Sequence, residues 1–445
     1  MSNSLSPRRK INTNQHTMNR KKEPIVIMIL RILLGCVFIF SGFTKAIDPV
    51  ANCYQFNDYF HSFNMDFMQL FSMVFAYGLT IVELTLGIMM LFRIKMRLTS
   101  VVYLLFMCFF LLLTAWLALA EHLEVNYGYD FGVVKDCGCF GKAIKLSNLG
   151  TFLKNIGIII PTIIIFIWRK EIPDVRMTEL GKWVTVGIVV AAVFGLQLYC
   201  HHHLPIIDFS DWKAGTNVAE SYIDRPEVTE SRFVYADSAG NKYYFTDEEL
   251  MAQYDTAPDF FDDKTDLDPE VKVIDTLKRA PIQGFTMWTL PDSTGQVSDL
   301  APDLLNTANN RPLYIMFINY VEEADMSIIR SDELQRIIND CQANKADFVA
   351  LTSSSVKEVN AFIKENKITY PIYRSDCDPV KGPFIIRDAI HTNPGIIYIQ
   401  NGIVIDKWAG RDFDEINFAE ALKQSQTVIT KYKEKLAKKE AKNKE

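Results

Sequence analysis

Five long apolar runs constrain most strongly what this chain can fold into. They cover, in chain order, about residues 24–43, 68–92, 98–120, 149–168 and 183–200. A helix needs roughly 20 apolar residues to cross the hydrocarbon core of a bilayer. The first run is too long for a signal-peptide core, and the FSGFTKAIDP segment at its end has no small-residue cleavage site. The sequence therefore predicts an α-helical membrane domain over residues 24–200, with five spans in a lipid bilayer.

Basic residues in the short loops predict how the spans are oriented. Cytoplasmic loops of membrane proteins carry an excess of Lys and Arg. Three alternating segments are rich in these residues, namely the tail 1–23 and the loops 93–97 and 169–182. We therefore expect a cytoplasmic N-terminal tail and, after an odd number of spans, everything beyond residue 200 on the other side. In a bacterium this is a multi-pass protein of the inner (cytoplasmic) membrane with a periplasmic C-terminal half.

Two ionisable residues, Arg31 and Glu83, lie inside the predicted spans. Charged groups in hydrocarbon are costly and are candidates for function. Arg31 is seven residues into the first span and Glu83 is nine residues from the end of the second. These similar depths predict an intramembrane polar pair, either structural or part of a substrate or proton site. Gly35, Gly42 and Gly87 are small residues that permit close helix packing.

The stretch DCGCFG, residues 136–141, carries the clearest chemical signal in a chain with eight cysteines. The predicted topology puts it outside the cytoplasm, between the third and fourth spans, where cysteines tend to form disulfides. A disulfide between Cys137 and Cys139 would close a very small ring, so it would be strained and easily reduced. The intervening glycine lets the backbone reach the necessary angles. We interpret Cys137 and Cys139 as a candidate redox pair, with Cys53 in the other outside loop as a candidate helper.

Two further interpretations of the same cysteines stay open. Either cysteine could form a structural disulfide with Cys53 or Cys200. A metal site with His122 or the histidines at 201–203 would suit zinc or copper, but no fixed zinc-binding spacing is present. From the residues themselves we predict neither a metal nor a cofactor.

Three motifs together resemble the DoxX/MauE group of bacterial membrane proteins. They are RILLGCVFIFSGFTKAIDP, VELTLG and DCGCFG, and the resemblance covers roughly residues 24–170. It implies a four-helix core plus one anchor helix. MauE-type proteins serve the maturation of the methylamine dehydrogenase system through disulfide handling, and the group distantly resembles quinone-linked thiol oxidoreductases, which allows a quinone as electron acceptor. Linkage through YCHHHLPIIDF to a periplasmic domain is similar to a Bacteroidetes-type subgroup, and no methylamine substrate follows.

The second half of the chain is a soluble α/β pattern. Residues 201–280 form a connector, in which SRFVYADSAGNKYYF predicts a β-hairpin and the acidic stretch 247–270 is interpreted as a solvated surface segment. Beyond it strands alternate with helices, beginning with GFTMWTL as a first strand. The closing hairpin, preceded by Asn393-Pro394, resembles the cis-proline region of thioredoxins. We predict a thioredoxin-like domain over 281–425 and a lysine-rich tail over 426–445.

This domain departs from thioredoxins at the reactive position. The strand LYIMFI runs into NYVEEADMSI, which contains no cysteine. Thiol catalysis needs a low-pKa thiolate at such a helix start. We therefore predict a binding module, with Asn393, Pro394 and Gly395 at a candidate peptide groove. Cys341 and Cys377 are expected to be inert or bridged to each other.

Three functions are compatible with these observations. The leading hypothesis is thiol–disulfide redox chemistry, or maturation of periplasmic proteins, with partner protein thiols meeting the Cys-Gly-Cys pair. The alternative is a non-enzymatic accessory or scaffold protein that binds an envelope partner through the degenerate thioredoxin-like domain. Solute transport is supported only by Arg31 and Glu83, and the lack of an evident internal repeat speaks against it. The net charge of −6 is too small to indicate nucleic-acid binding.

Overall fold

The computed structural model describes residues 23–129, 131–132, 134, 137–144, 146–277, 279–308, 310–376 and 384–444. The chain divides into two compact units, Met1–His201 and His202–Glu445. The first is helical and the second combines helices with two sheets. The predicted cytoplasmic tail 1–23 lies outside the described residues apart from Glu23.

The helices of the N-terminal unit are α1 (Ile25–Ala46), α2 (Pro49–Ser62), α3 (Ser72–Phe92), α4 (Met96–Tyr127), α5 (Asn148–Trp168) and α6 (Glu179–His202). All except α2 are long and apolar enough to cross a membrane, and a 3₁₀ turn over Asp66–Phe71 leads into α3. The five predicted spans are therefore confirmed by the length and composition of the helices.

Helix α2 is not predicted by the apolar pattern of the sequence. It begins directly after α1, with Asp48 as its N-cap. The Asp48 side chain accepts a hydrogen bond from the backbone N–H of Ala51, at 3.2 Å. Pro49 occupies the first helical turn, where the absence of an N–H costs nothing. A polar segment thus forms a helix because its start is well capped, although its composition is not that of a span.

Helices α1 and α3 pack with their backbones in close contact. A Cβ atom on Gly42 would lie 2.8 Å from the backbone N of Leu84, and one on Gly87 would lie 2.7 Å from the backbone N of Ile39. Real Cβ atoms do not approach backbone so closely, so both positions require glycine. The predicted role of these glycines in helix packing is confirmed, and they fix which residues of α1 face which residues of α3.

The C-terminal unit begins with α7 (Val218–Ser221) and a three-stranded antiparallel sheet in the order β2–β1–β3. Its strands are β1 (Val228–Ala236), β2 (Lys242–Phe245) and β3 (Thr265–Asp275), and α8 (Asp247–Thr256) lies between the last two. β1 and β2 form the expected hairpin. The acidic stretch 247–270, expected to be only a solvated segment, supplies α8 and most of β3.

The second sheet has five strands in the order β6–β5–β4–β7–β8. They are β4 (Leu313–Ile318), β5 (Asp347–Thr352), β6 (Ile372–Arg374), β7 (Gly395–Gln400) and β8 (Ile403–Ala409). β4, β5 and β6 run parallel, whereas β7 and β8 are antiparallel. The helices around them are α9 (Ala301–Leu304), α10 (Met326–Ile329), α11 (Asp332–Ala343), α12 (Val356–Asn366), α13 (Phe384–Ala389) and α14 (Phe418–Lys444).

The central strand β4 is buried on both faces. Tyr314 and Met316 join one apolar cluster, while Ile315 and Phe317 join the other. Successive side chains of a strand point to opposite faces, so a run buried on both sides needs apolar residues at every position. This is why LYIMFI carries no polar residue.

One sequence expectation for this unit is corrected. The segment GFTMWTL forms no strand. Trp288 makes only isolated bridges, to Asp299 and Arg374, because its neighbour at that edge is the three-residue strand β6. The described residues of the predicted tail, 426–444, are helical and continue α14, whose Val428 and Tyr432 pack on the core.

Replacing Gly87 by Ala should loosen the N-terminal unit. The added methyl group would meet backbone at 2.7 Å, so the two helices must separate, and overpacking of this kind costs about 1–3 kcal/mol. We expect a lower midpoint of thermal unfolding in mild detergent. Gly78→Ala is the matched control, because it lies on the same helix and its Cβ would meet nothing within 4 Å. Equal destabilisation by both variants would contradict the role assigned to this contact.

Candidate functional site

The loop between α4 and α5 carries Cys137, Gly138 and Cys139. Cys137 is 7 % exposed, and Cys139 is half-buried. Gly138 has φ +63°, and a Cβ there would lie 3.0 Å from the side chain of Gln55 on α2. A side chain is therefore excluded both by the backbone conformation and by the neighbouring helix.

Two helices hold the backbone of this loop. The Tyr59 hydroxyl on α2 donates to the Cys137 carbonyl oxygen at 3.0 Å. The Ser41 hydroxyl on α1 donates to the Cys139 carbonyl oxygen. Both anchors act on the main chain, so chemistry at the sulfur atoms does not require either anchor to break.

The two thiols are in hydrogen-bonding contact, and this makes them unequal. The hydrogen bond from the Cys137 thiol lowers the pKa of Cys139 to about 6, against the desolvation caused by burial, and the nearby Lys154 and Lys45 also lower it. The same hydrogen bond, together with burial, raises the pKa of Cys137 well above its usual range. A thiolate is the nucleophilic form of cysteine. Cys139 therefore carries the larger thiolate fraction of the two at neutral pH, a difference that the sequence left open.

Charged side chains converge on Cys139 from three helices. A small cavity beside it is lined by Lys45, Glu83 and Lys154, together with aromatic side chains. Lys45 Nζ lies 2.6 Å from Glu83 Oε2 and 3.2 Å from Ser41 Oγ. Lys154 Nζ lies 4.4 Å from the centre of the Phe140 ring. The cavity thus places two cations and one anion around one sulfur.

The expected pairing of Arg31 with Glu83 is corrected. Arg31 Nε pairs with Glu23 Oε1 at 2.8 Å, and its Nη1 donates to the Met90 carbonyl at 2.9 Å. Glu83 pairs instead with Lys45. Since Gly42 faces Leu84, Glu83 is level with a part of α1 that lies about 16 Å from Arg31 at 1.5 Å per residue. The prediction counted residues from the ends of the two spans and assumed that these ends lie at the same depth. The prediction is wrong because the antiparallel helices α1 and α3 do not end at the same depth.

The sequence reasoning misses Ser41 and Lys45. With the first span taken to end at residue 43, Lys45 is assigned to a loop, whereas α1 continues to Ala46. Residues four apart lie on the same face of a helix. The four-residue spacing of Ser41 and Lys45 could have indicated that they belong to one site. It places both on one face of α1 once the helix is extended to Ala46.

The candidate helper Cys53 lies on α2, half-buried. Its neighbour is Tyr77 on α3, which also lies near Cys200. The Tyr77 hydroxyl donates to the carbonyl of Gln197 on α6 at 3.3 Å. Tyr59 of the same helix contacts the Cys-Gly-Cys loop, and the helper role of Cys53 stays a prediction.

Cys341 is the cysteine of the C-terminal unit that the structure describes. It is fully buried, and burial raises its pKa to about 12, so this thiol is inert. Cys377, its predicted bridging partner, lies outside the described residues.

The metal-site interpretation of the cysteines and histidines finds no cluster to support it in the described part of the chain. No group of three or more His, Cys, Asp or Glu side chains is placed there to hold a metal ion.

The residues of the candidate peptide groove, 393–395, make hydrogen bonds and packing contacts within the C-terminal unit. The Asn393–Pro394 peptide bond is cis. The Asn393 side chain accepts from the backbone N–H of Asn319 at 3.2 Å. The Pro394 carbonyl accepts from the Gly410 N–H at 3.0 Å, and a Cβ on Gly395 would lie 2.5 Å from Ile390. Asn393 is partly exposed, whereas Pro394 and Gly395 are buried, and the groove stays a prediction.

These features define a multi-pass helical membrane protein that carries a loop dithiol beside a buried ion pair and continues into an α/β unit. Residues 23–169 match the family model described as methylamine utilisation protein MauE. The match covers α1 to α5, and with them the cysteine pair and Lys45–Glu83. It confirms the MauE part of the predicted resemblance for this region. No curated protein matches the chain.

Replacing Cys137 by Ala should make Cys139 less reactive at neutral pH. The variant loses the hydrogen bond that lowers the pKa of Cys139 from its ordinary value to about 6. The thiolate fraction at pH 7 would then fall by about thirtyfold if the pKa returned fully to that of a free thiol, about 8.5. The measurement is the rate of iodoacetamide labelling of the Cys139 peptide between pH 5 and 9, by mass spectrometry.

The control is Cys137→Ser, which keeps a hydroxyl donor at the same position. We expect its labelling profile to lie closer to that of the wild type. Identical profiles for the wild type and Cys137→Ala would show that the hydrogen bond does not control Cys139.

Proposed function

We propose that this protein exchanges disulfides with the thiols of other envelope proteins through Cys137 and Cys139. The observation that carries the proposal is the contact between the two thiols, in which Cys139 lies beside Lys45 and Lys154 and has its pKa lowered to about 6. A structural disulfide would need no such charges around one sulfur. A catalytic pair needs one stabilised thiolate and one adjacent thiol.

The exchange balances without any further reactant. The Cys139 thiolate attacks one sulfur of a partner's disulfide, forms a mixed disulfide and releases one partner thiolate. Cys137 loses its proton, and its thiolate attacks the Cys139 sulfur and releases the second partner thiolate. The pair is then oxidised by two electrons and the partner is reduced by two electrons. One partner thiolate takes the proton that Cys137 loses, and the other takes from the solvent the proton that Cys139 released when it ionised. The reverse sequence oxidises a partner dithiol.

The loop charges support the proposed location. A cytoplasmic tail 1–23 and cytoplasmic loops around 93–97 and 169–182 satisfy the positive-inside rule. This orientation places the Cys-Gly-Cys loop and the C-terminal unit in the periplasm of a bacterial inner membrane, where protein disulfides are made and exchanged.

The C-terminal unit would hold the partner rather than react with it. Its β4–α11–β5 crossover followed by the β7–β8 hairpin supports a thioredoxin-like fold. The segment after β4 carries Glu322 and Glu323 where such domains carry cysteines. Acidic groups there would disfavour a thiolate, so a binding role is the one its chemistry permits.

The quinone that the resemblance allows has no fitting site among the described residues beside Cys139. The cavity there measures about 30 Å³, room for no more than a few water molecules. A quinone ring is larger than this space, so no step of the proposed exchange passes through one at this position.

An accessory role without thiol chemistry is the second candidate. It is favoured by the C-terminal unit, whose Cys341 is buried and inert. In an accessory protein the cysteine pair would serve only to hold the loop against α1 and α2.

Trapping experiments in intact membranes separate the two candidates. In Cys137→Ser, Cys139 can still form a mixed disulfide, but the second cysteine needed to resolve it is missing. We therefore expect a reductant-sensitive adduct with a partner protein to accumulate in Cys137→Ser and not in Cys139→Ser. The readout is non-reducing electrophoresis after rapid thiol blocking, and Cys341→Ala is the control that should resemble the wild type.

A second outcome would contradict the proposed thiol exchange. If neither single variant forms an adduct, and both thiols of the wild type keep one state under oxidant and reductant, thiol exchange is wrong and the accessory role remains.

A further inference from the structure

We propose that the buried Lys45–Glu83 ion pair controls the reactivity of Cys139, with Lys45 supplying charge that stabilises the thiolate and Glu83 limiting that charge. Both are positioning residues, since they act on the sulfur through the field in the cavity. The inference rests on the proposed thiol function, because it explains how the attacking thiolate is adjusted.

The geometry places the ion pair within the site. Lys45 and Glu83 both line the cavity that contains Cys139, and each side chain is only 6 % exposed. Lys45 Nζ also donates to Ser41 Oγ, whose hydroxyl in turn holds the Cys139 carbonyl. One chain of polar contacts therefore runs from Glu83 to the backbone of the reactive cysteine.

The charges around Cys139 act in opposite directions. Lys154 and Lys45 favour the thiolate, while Glu83 disfavours it. Among the described residues, Cys137 is the other titratable group that acts on Cys139. Electrostatic effects are strong at low exposure because little water screens them. Removing Lys45 and removing Glu83 should consequently change the thiolate of Cys139 in opposite senses.

Stability alone gives a weak reason for such a pair. Taking two charges out of water is costly, and apolar residues of similar volume often serve a fold as well as a buried ion pair does. The contact between α1 and α3 already rests on Gly42 and Gly87. A single residue, Ser41, links Lys45 to the backbone of Cys139 through hydrogen bonds. At this distance the ion pair can change the charge on the sulfur, which apolar packing cannot do.

The test compares the pH dependence of iodoacetamide labelling at Cys139 in full-length variants in membranes. Lys45→Met removes a charge that favours the thiolate, so labelling should move to higher pH and slow at pH 5. Glu83→Gln removes a charge that disfavours the thiolate, so labelling should move to lower pH and speed up at pH 5. A shift of half to one pKa unit should change the thiolate fraction at pH 5, and with it the labelling rate, by about three- to ninefold for Lys45→Met and about three- to fivefold for Glu83→Gln.

Three further variants keep the test decisive. Lys45→Arg retains the charge and should restore labelling close to that of the wild type. The double variant Lys45→Met with Glu83→Gln leaves no unpaired buried charge, and it should fall between the two single variants even if Lys45→Met folds poorly. Glu23→Gln removes the partner of Arg31, a buried pair away from the cavity, and should leave the profile unchanged.

A purely structural ion pair predicts something different. It would change labelling in the same direction for both single variants, or leave the pH midpoint of each unchanged, and either result overturns the inference. Labelling reports the charge on sulfur without any partner protein. If the two variants shift the labelling profile in opposite directions but no adduct is trapped, the electrostatic role is upheld and the exchange function fails. If adducts are trapped but the profiles do not shift in opposite directions, the exchange function is upheld and the electrostatic role fails.

Discussion

The close contact of α1 with α3 is the interaction on which the N-terminal unit depends. Gly42 and Gly87 let the two backbones touch, and this contact sets the register between the helices. The register places Lys45 opposite Glu83 and leaves Arg31 to bind Glu23 and the Met90 carbonyl. A shift of one residue would rotate each face by about 100°, so the ion pair and the cavity beside Cys139 exist only because the helices meet at those glycines.

The second organising feature is the inequality of two cysteines separated by one glycine. Equal thiols in water would share one ordinary pKa. Here one donates a hydrogen bond to the other, and the acceptor lies beside two lysines. Tyr59 and Ser41 each hold the backbone carbonyl of one of the two cysteines. The difference between the two thiols therefore comes from the groups that surround each sulfur. One of the two thiols in this short motif thereby acquires a lowered pKa. The C-terminal unit, with its buried Cys341, has no comparable thiol among its described residues.

Much of the architecture could be predicted because it depends on composition and period. The five spans follow from apolar length, and the close approach at Gly42 and Gly87 follows from side-chain size. Predictions of which residues contact each other were less accurate. Pairing Arg31 with Glu83 by counting residues from the span ends assumes that the ends are level. GFTMWTL alternates like a strand, but at the sheet edge only Trp288 finds bridging partners. The acidic segment before residue 275 gave no sign of β3, since its pairing with β1 is a long-range contact.

The sequence by itself determined that the chain is a multi-pass membrane protein, that its cysteine pair lies in a loop between spans, and that a mixed α/β unit follows. These are properties of local composition, because burial in lipid and strand or helix period act residue by residue. Only the tertiary structure decided which charges surround Cys139, which of the two cysteines has the lowered pKa, and that Lys45 rather than Arg31 meets Glu83. Each of these depends on distances between side chains far apart in the sequence. Electrostatic interactions fall with distance and strengthen with burial, and neither quantity can be read from residue order.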